Sequence, residues 1–190
     1  MVEVIRAFIA VDIDDPSVSK NIVSLRDALI ATGADLKPVE EENLHITIRF
    51  LGNMPVTMVD DIYSIMKSVK FKPFKIHVKG VGCFPNISRP RVIWVGVEKG
   101  YEELKRIHDE IEKGLRGLGF KPEREEFVAH ITVARVRSRR KREALIKVIE
   151  NFKEFDAGEM VVRYVRLKQS VLTPKGPIYK TLREVKAEEP

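Results

Sequence analysis

The chain has 190 residues, 44% hydrophobic and 33% charged, with a net charge of +6 and a pI near 9.4. That is enough chain to bury a core as one domain or two small lobes, and no apolar run approaches the roughly 20 residues of a bilayer span. A lone cysteine, Cys83, excludes an internal disulfide and fits a reducing cytoplasm, while the basic balance favours an anionic partner such as RNA or a nucleotide.

In chain order, Arg6 to Asp12 is a first strand, leading in from an N-terminus without a signal-peptide pattern. Asp14-Asp15-Pro16 starts a helix whose apolar face is Val18, Ile22, Leu25 and Leu29, ended by Gly33. Lys37-Pro38 and an acidic turn lead to a strand, Asn43-Leu-His-Ile-Thr-Ile-Arg-Phe-Leu51. Thr57, with Asp60 three residues on, predicts a capping box for a helix that buries Val59, Ile62, Met66 and Val69. Alternation of Phe74, Ile76 and Val78 predicts a strand over 73–84, and Val92 to Val97 is a buried strand after the turn at 85–90.

The order then repeats. A helix over 101–118 buries Leu104, Ile107, Ile111, Leu115 and Leu118. A second strand follows, Phe127-Val-Ala-His-Ile-Thr-Val-Ala-Arg135. Ser138 is the expected cap of a helix with Leu145, Val148, Ile149 and Phe152 inward. One long strand over 157–172, the turn Thr173-Pro-Lys-Gly-Pro177 and a last strand over 178–185 complete the pattern, with 186–190 a frayed tail. Residues 4–84 and 91–172 therefore share one order: strand, helix, strand, helix, strand. The expectation is a single α+β domain over 1–190 with two lobes related by a pseudo-two-fold. Each lobe has an antiparallel sheet flanked by two helices, and a cleft lies between them.

The middle strand of each repeat carries His-Ile-Thr, at His45 and His130, 85 residues apart. Residues i and i+2 share a strand face. Each copy thus pairs an imidazole with a hydroxyl, His45 with Thr47 and His130 with Thr132, while Ile46, Ile48, Ile131 and Val133 point to the core. One His-x-Thr is a weak signal; two at matching places in a repeat are a strong one. Facing imidazoles suit acid–base chemistry near neutral pH, and the hydroxyls suit a phosphate held between them. Two histidines on distant strands, with no third donor at ligand spacing, make a poor metal set. His77, between Lys75 and Lys79, reads as solvated, and His108, on a helix stripe, as packing.

The run Arg135 to Arg142 is the densest positive patch. With Ser138 as the cap, its cations fill a helix start that prefers anions, which makes RNA contact as good a reading as a merely solvated face. Gln169 is the sole glutamine among abundant Lys, Arg and Glu, a bias seen in thermophile proteins.

Arg6 to Val11, Leu44 to Gly52, His130 to Arg135 and Ser170 to Tyr179 resemble the RNA 2′,3′-cyclic phosphodiesterases, also called the 2′-5′ RNA ligase or LigT-like family, within the two-histidine phosphoesterases. The resemblance runs nearly end to end. It implies hydrolysis of RNA 2′,3′-cyclic phosphate ends to 2′-phosphates, on substrates such as tRNA fragments, with no cofactor or metal and in a monomer. It implies His45 as proton donor, His130 as general base, Thr47, Thr132 and Arg135 on the phosphate, and Phe8 as a base-stacking or core residue. The alternatives are 2′-5′ ligation of cyclic-phosphate and 5′-hydroxyl ends, other cyclic-nucleotide or 2′-5′ oligonucleotide phosphodiesterases, and a non-catalytic RNA-end binder. By strict alternation Arg135 shares a face with Ile131, so it reaches a phosphate only if the strand bulges or ends near Ala134. Arg49 has the parity of His45 and Thr47 and is a second phosphate-binding candidate.

Overall fold

The computed structural model describes residues 1–189. Its elements are β1 (Val4–Asp12), α1 (Pro16–Ile30), β2 (Leu36–Pro38), β3 (His45–Pro55), α2 (Val59–Ser68), β4 (Phe74–Phe84), β5 (Val92–Val97), α3 (Tyr101–Gly117), β6 (His130–Val136), α4 (Arg142–Asn151), β7 (Asp156–Val162), β8 (Tyr164–Thr173) and β9 (Gly176–Lys186). No described helix is long and apolar enough to cross a membrane.

The strands run in the order β7-β4-β5-β6-β3-β1-β8-β9, with β2 paired to β6 off this path. The two His strands are thus central neighbours, and a single antiparallel pair, Ile46 opposite Ile131, joins them. On either side lies an antiparallel half-sheet. Helices α1 and α4 pack together behind the β4–β7 half, and α2 and α3 behind the other.

The sequence repeats are not the lobes. β4 closes the first repeat but pairs with β5 and β7 of the second. β8, from the second repeat, pairs with β1 of the first. The long strand expected over 157–172 is two strands, broken at Arg163, and each serves a different half. Each repeat lends a strand to the other half, so the repeats are intertwined.

Local signals held where they were strong. The Asp15 carboxylate accepts from the Ser17 and Val18 amides at 2.9 and 3.1 Å and caps α1. Val18, Ile22, Leu25 and Leu29 are buried behind it. The expected capping box at Thr57 does not form: a 3₁₀ turn over 56–58 precedes α2, and no side chain caps that helix. Nor does Ser138 cap α4; the capping position is Lys141, in left-handed backbone with φ 55°. The tail is tied down as far as residue 188. The Ala187 amide donates to the Arg163 carbonyl and the Glu188 amide to that of Phe71, both at 2.8 Å.

Two matching bulges set which side chains face the cleft. Along β3, Ala10 pairs with Thr47 and Ile9 with Arg49, so Ile48 is unpaired. Along β6, Trp94 pairs with Thr132 and Ile93 with Ala134, so Val133 is unpaired. Each extra residue reverses the alternation beyond it. In β6 this turns Arg135 onto the face of His130 and Thr132. In β3 the same reversal turns Arg49 to the core side and Phe50 to the cleft side.

Arg49 is accordingly not a phosphate ligand but a buried structural cation, 6% exposed. Its guanidinium donates to Glu112 of α3 and to the Lys121 and Phe50 carbonyls. Glu123 lies 3.6 Å away. Arg49→Met leaves Glu112 buried without its main cation. Unfolding free energy should fall by about 3–5 kcal/mol, as for other broken buried pairs, measured by urea denaturation. A loss under about 1 kcal/mol would be the behaviour of a solvated pair instead.

Candidate active site

With Ile46 opposite Ile131, antiparallel register sets His45 across from Thr132 and Thr47 across from His130. All four side chains share one face, the imidazoles on one diagonal and the hydroxyls on the other. That face opens into a cleft of about 760 Å³, lined among others by Thr47, Phe84, Arg91, Phe127, His130, Thr132 and Arg135.

The two imidazoles are held alike. His45 Nδ1 lies 2.7 Å from the Asn43 carbonyl, and His130 Nδ1 2.7 Å from that of Val128. A carbonyl only accepts, so each Nδ1 carries a proton and donates it. Nε2 is then the nitrogen of each ring that can gain or lose a proton, and His130 lines the cleft itself. His45 Nε2 is 3.1 Å from Thr47 Oγ1.

Aromatic rings back both histidines. Phe8 and Tyr179 lie 5.0 and 5.3 Å from His45, centroid to centroid. Phe84 and Trp94 lie 5.1 and 6.1 Å from His130. Phe8 is therefore a buried wall, 3% exposed and also 5.0 Å from Tyr179, with no free face for a base. Sequence reasoning missed Tyr179, Trp94, Phe84 and Arg91, which reach the site through strand pairing and turn geometry. Only the quoted stretch ending at Tyr179 held a hint.

Charge is arranged behind His45. Asp12, its partner in the β1–β3 register, accepts from Lys168 Nζ at 2.7 Å and from Arg166 at 3.0 Å. Lys168 is itself buried, with its ammonium 5.9 Å from the Tyr179 ring centre. Burial pushes the His45 pKa down, the Asn43 carbonyl opposes this, and Lys168 adds to it. Burial also lowers the His130 pKa, again against a carbonyl, with Arg135 reinforcing the shift.

The remaining histidines stay outside the cleft, as expected. His77 pairs with Asp156 at 2.8 Å. His108 stacks on Phe127 at 4.6 Å, and Glu123 and Asp109 raise its pKa against the effect of burial. Among the described residues no group of three or more His, Cys, Asp and Glu side chains is arranged to hold a metal ion.

Comparison with known proteins now decides the family. The LigT like phosphoesterase family model matches twice in succession, over residues 11–94 and 95–179. The chain belongs to this family. A relative from Aeropyrum pernix, named RNA 2′,3′-cyclic phosphodiesterase, is 46% identical over 166 residues, covering 87% of this chain and 94% of its own. One of the same name from Archaeoglobus fulgidus is 45% identical over 179 residues, covering 94% and 98%. Among solved structures, TT0787 of Thermus thermophilus superposes with a TM-score of 0.80 at 26% identity, over 97% of this chain and 100% of that one. Escherichia coli LigT complexed with 3′-AMP matches with a TM-score of 0.78 over 98% and 100%; at 20% identity it speaks for the fold alone.

The depressed imidazoles make a direct test. In an NMR titration His45 and His130 should both titrate below the usual His value of about 6.5, and His108 above it. A phosphate anion in the cleft should move the first two upward. Two cleft histidines titrating at or above 6.5 without anion would contradict their burial. Unfolded histidines bind protons first, so the contribution of His45 and His130 is intact above about pH 6.5 and is lost as pH falls through their folded values.

Proposed function

We propose that this chain hydrolyses RNA 2′,3′-cyclic phosphate ends to 2′-phosphomonoesters by paired-imidazole acid–base catalysis. The observation that carries the reading is the matched pair of imidazoles on one sheet face, each with Nδ1 tied to a carbonyl; His130, Thr47 and Thr132 line the cleft, and His45 Nε2 meets it through Thr47 Oγ1 at 3.1 Å. The relatives' shared name supports the same chemistry.

The charge polarity of the cleft supports the roles. Past Thr132, β6 leads to Arg135 at the His45 end. Past Thr47, β3 leads to Phe50 at the His130 end, where Glu123, Glu125 and Glu126 line the wall. An RNA chain is anionic and takes the cationic end, so the sugar bearing the cyclic phosphate lies beside His45. His45 Nε2–H then protonates O3′ as the O3′–P bond breaks. His130 Nε2 takes a proton from water as the new O–P bond forms on the opposite side. The product is a 2′-phosphate, and the two histidines exchange protons with solvent before the next turnover. Thr47, Thr132 and Arg135 hold the non-bridging oxygens. Burial alone would strip the proton from His45, and the phosphate charge restores its affinity for it.

His45→Ala or His130→Ala should each cost at least about 10²-fold in turnover of a cyclic-phosphate dinucleotide. Thr47→Ala and Thr132→Ala should cost less. The wild-type reaction should persist in EDTA, and its product should resist a phosphatase specific for 3′-phosphates. Near-normal turnover in either His variant sinks the mechanism. A 3′-phosphate product reverses the leaving group and the two roles, and recovery of activity only on adding a divalent metal would replace them.

A further inference from the structure

The basic run past β6 is not used by the mechanism, yet it begins inside the cleft. Arg135 lines the cleft itself. Lys37 of β2 pairs with Arg135 in antiparallel register, which puts both side chains on one face. Arg91 flanks them, with its carbonyl accepting from the Val136 amide at 2.9 Å. Arg137, Arg139, Arg140 and Lys141 follow, all exposed.

These charges are little neutralised by the protein. Asp35 is the one acid bonded within the ridge: Arg137 reaches it at 3.0 Å, and Ser138, Arg137 and Arg140 hold its carboxyl below the usual range. Glu143 lies beside Arg139, Lys141 and Arg142 at the start of α4. Among the described residues Lys37, Arg91, Arg135, Arg139, Arg140 and Lys141 make no ion pair within 4.0 Å, whereas Arg49, Arg106, Arg166 and Arg183 all do. The ridge also ends on a local strain. Lys141 is the one described non-glycine residue with positive φ, and it opens a helix that no side chain caps. Cations crowded at that end raise the energy of the protein alone, and an anion lying across them lowers it.

Direction comes from the opposite end of the cleft. Glu125 and Glu126 carry the charge of that wall, beside His130, with Glu123 shared with Arg49 and His108. The acidic turn 40–42 at the His45 end is not equivalent: none of its carboxylates lines the cleft, and Glu41 turns away to accept from Ser19 at 2.9 Å. A polyanion entering this cleft is repelled at one end and drawn out at the other.

We infer that the ridge formed by Lys37, Arg91, Arg137, Arg139, Arg140 and Lys141 binds the single-stranded RNA upstream of the cyclic phosphate. The chain passes from the sugar beside His45 over Arg135 and out along the ridge. This rests on the proposed reaction, because it takes the cleft occupant to be an RNA 3′ end. Arg135 to Arg139 is four residue steps; β6 ends at Val136 and the chain bends and turns over 138–141, so the ridge extends by less than the roughly 13 Å of a fully extended segment, room for about two nucleotides beyond Arg135. Specificity there is for phosphate and an unpaired strand; no set of stacking aromatics reads the bases.

The test compares wild type with Arg139→Glu/Arg140→Glu/Lys141→Glu, whose side chains are exposed and outside the cleft. Substrates are oligoribonucleotides of two to eight residues ending in 2′,3′-cyclic phosphate, at several salt concentrations. In wild type, kcat/KM should rise about tenfold or more from two to about five nucleotides, steeply salt-dependent. The variant should lose that rise and flatten the logarithmic salt slope by about 2, near 0.7 per lost contact on a single strand. It should turn over the dinucleotide within about twofold of wild type. A 4-thiouridine placed three residues upstream in the 2′-phosphate product should crosslink to residues 135–142, not to 121–127. Length dependence unchanged in the variant, or crosslinks to the acidic wall, would overturn the inference while leaving the reaction standing. Failure of both proteins on the dinucleotide would instead overturn the reaction.

Discussion

The pairing of Ile46 with Ile131 is the hinge on which the site depends. Both side chains are fully buried, so water competes for neither and the two central strands are pinned at one register. Slip by one residue would turn one His-Thr pair into the core and bring isoleucines to the cleft. A single bridge suffices because the halves are held elsewhere. β4 and β8 each cross into the half built mostly by the other repeat. Pulling the two repeats apart would unzip the ladders of β4 and β8, and the chain itself crosses repeatedly between the walls bearing His45 and His130, so these are tied by connections as well as by the bridge. The spacing of the two imidazoles is therefore carried by backbone pairing and not by flexible side chains.

The site concentrates charge that the rest of the fold has to balance. Behind His45, Asp12 is shared between Lys168 and Arg166, and Arg166 also reaches Glu184 at 2.7 Å. Every member of this cluster has an opposite charge within hydrogen-bonding reach, which is the condition under which ionised groups tolerate partial burial. On the other side, Arg49, Glu112, Glu123 and His108 tie the irregular segment 120–129 to α3 and β3. That segment supplies the Val128 carbonyl that orients His130. The two networks are chemically different, yet each ends at an imidazole.

The same bulge acts twice with opposite effects. Beyond Ile48 it hides Arg49 and displays Phe50; beyond Val133 it hides Ala134 and displays Arg135. One repeat thus contributes an exposed ring, 41% accessible with Arg6 stacked over it at 4.7 Å, and the other contributes a free guanidinium. The duplicated strands keep a symmetric pair of histidines but have become unlike at their far ends. That difference gives the cleft its polarity.

The amino-acid sequence by itself determined the β-strand setting of both His-Thr pairs, the inward stripes of the helices, the cap at Asp15 and the double occurrence of one unit. These depend on the residue and its near neighbours: alternation, 3.6-residue spacing, and a carboxylate two or three positions from free amides. It also stated the condition for Arg135, a bulge near Ala134, without being able to say that the bulge exists. Arg49, Phe8, the boundaries of the lobes and the break at Arg163 were decided by tertiary structure. Parity along a strand survives only while each residue has a partner, and an unpaired Ile48 or Val133 is a property of two strands in register. Likewise Phe8 is a wall and not a platform because Tyr179, arriving from β9, closes over it. Such outcomes depend on residues that are tens to more than a hundred positions apart, and no local pattern encodes them.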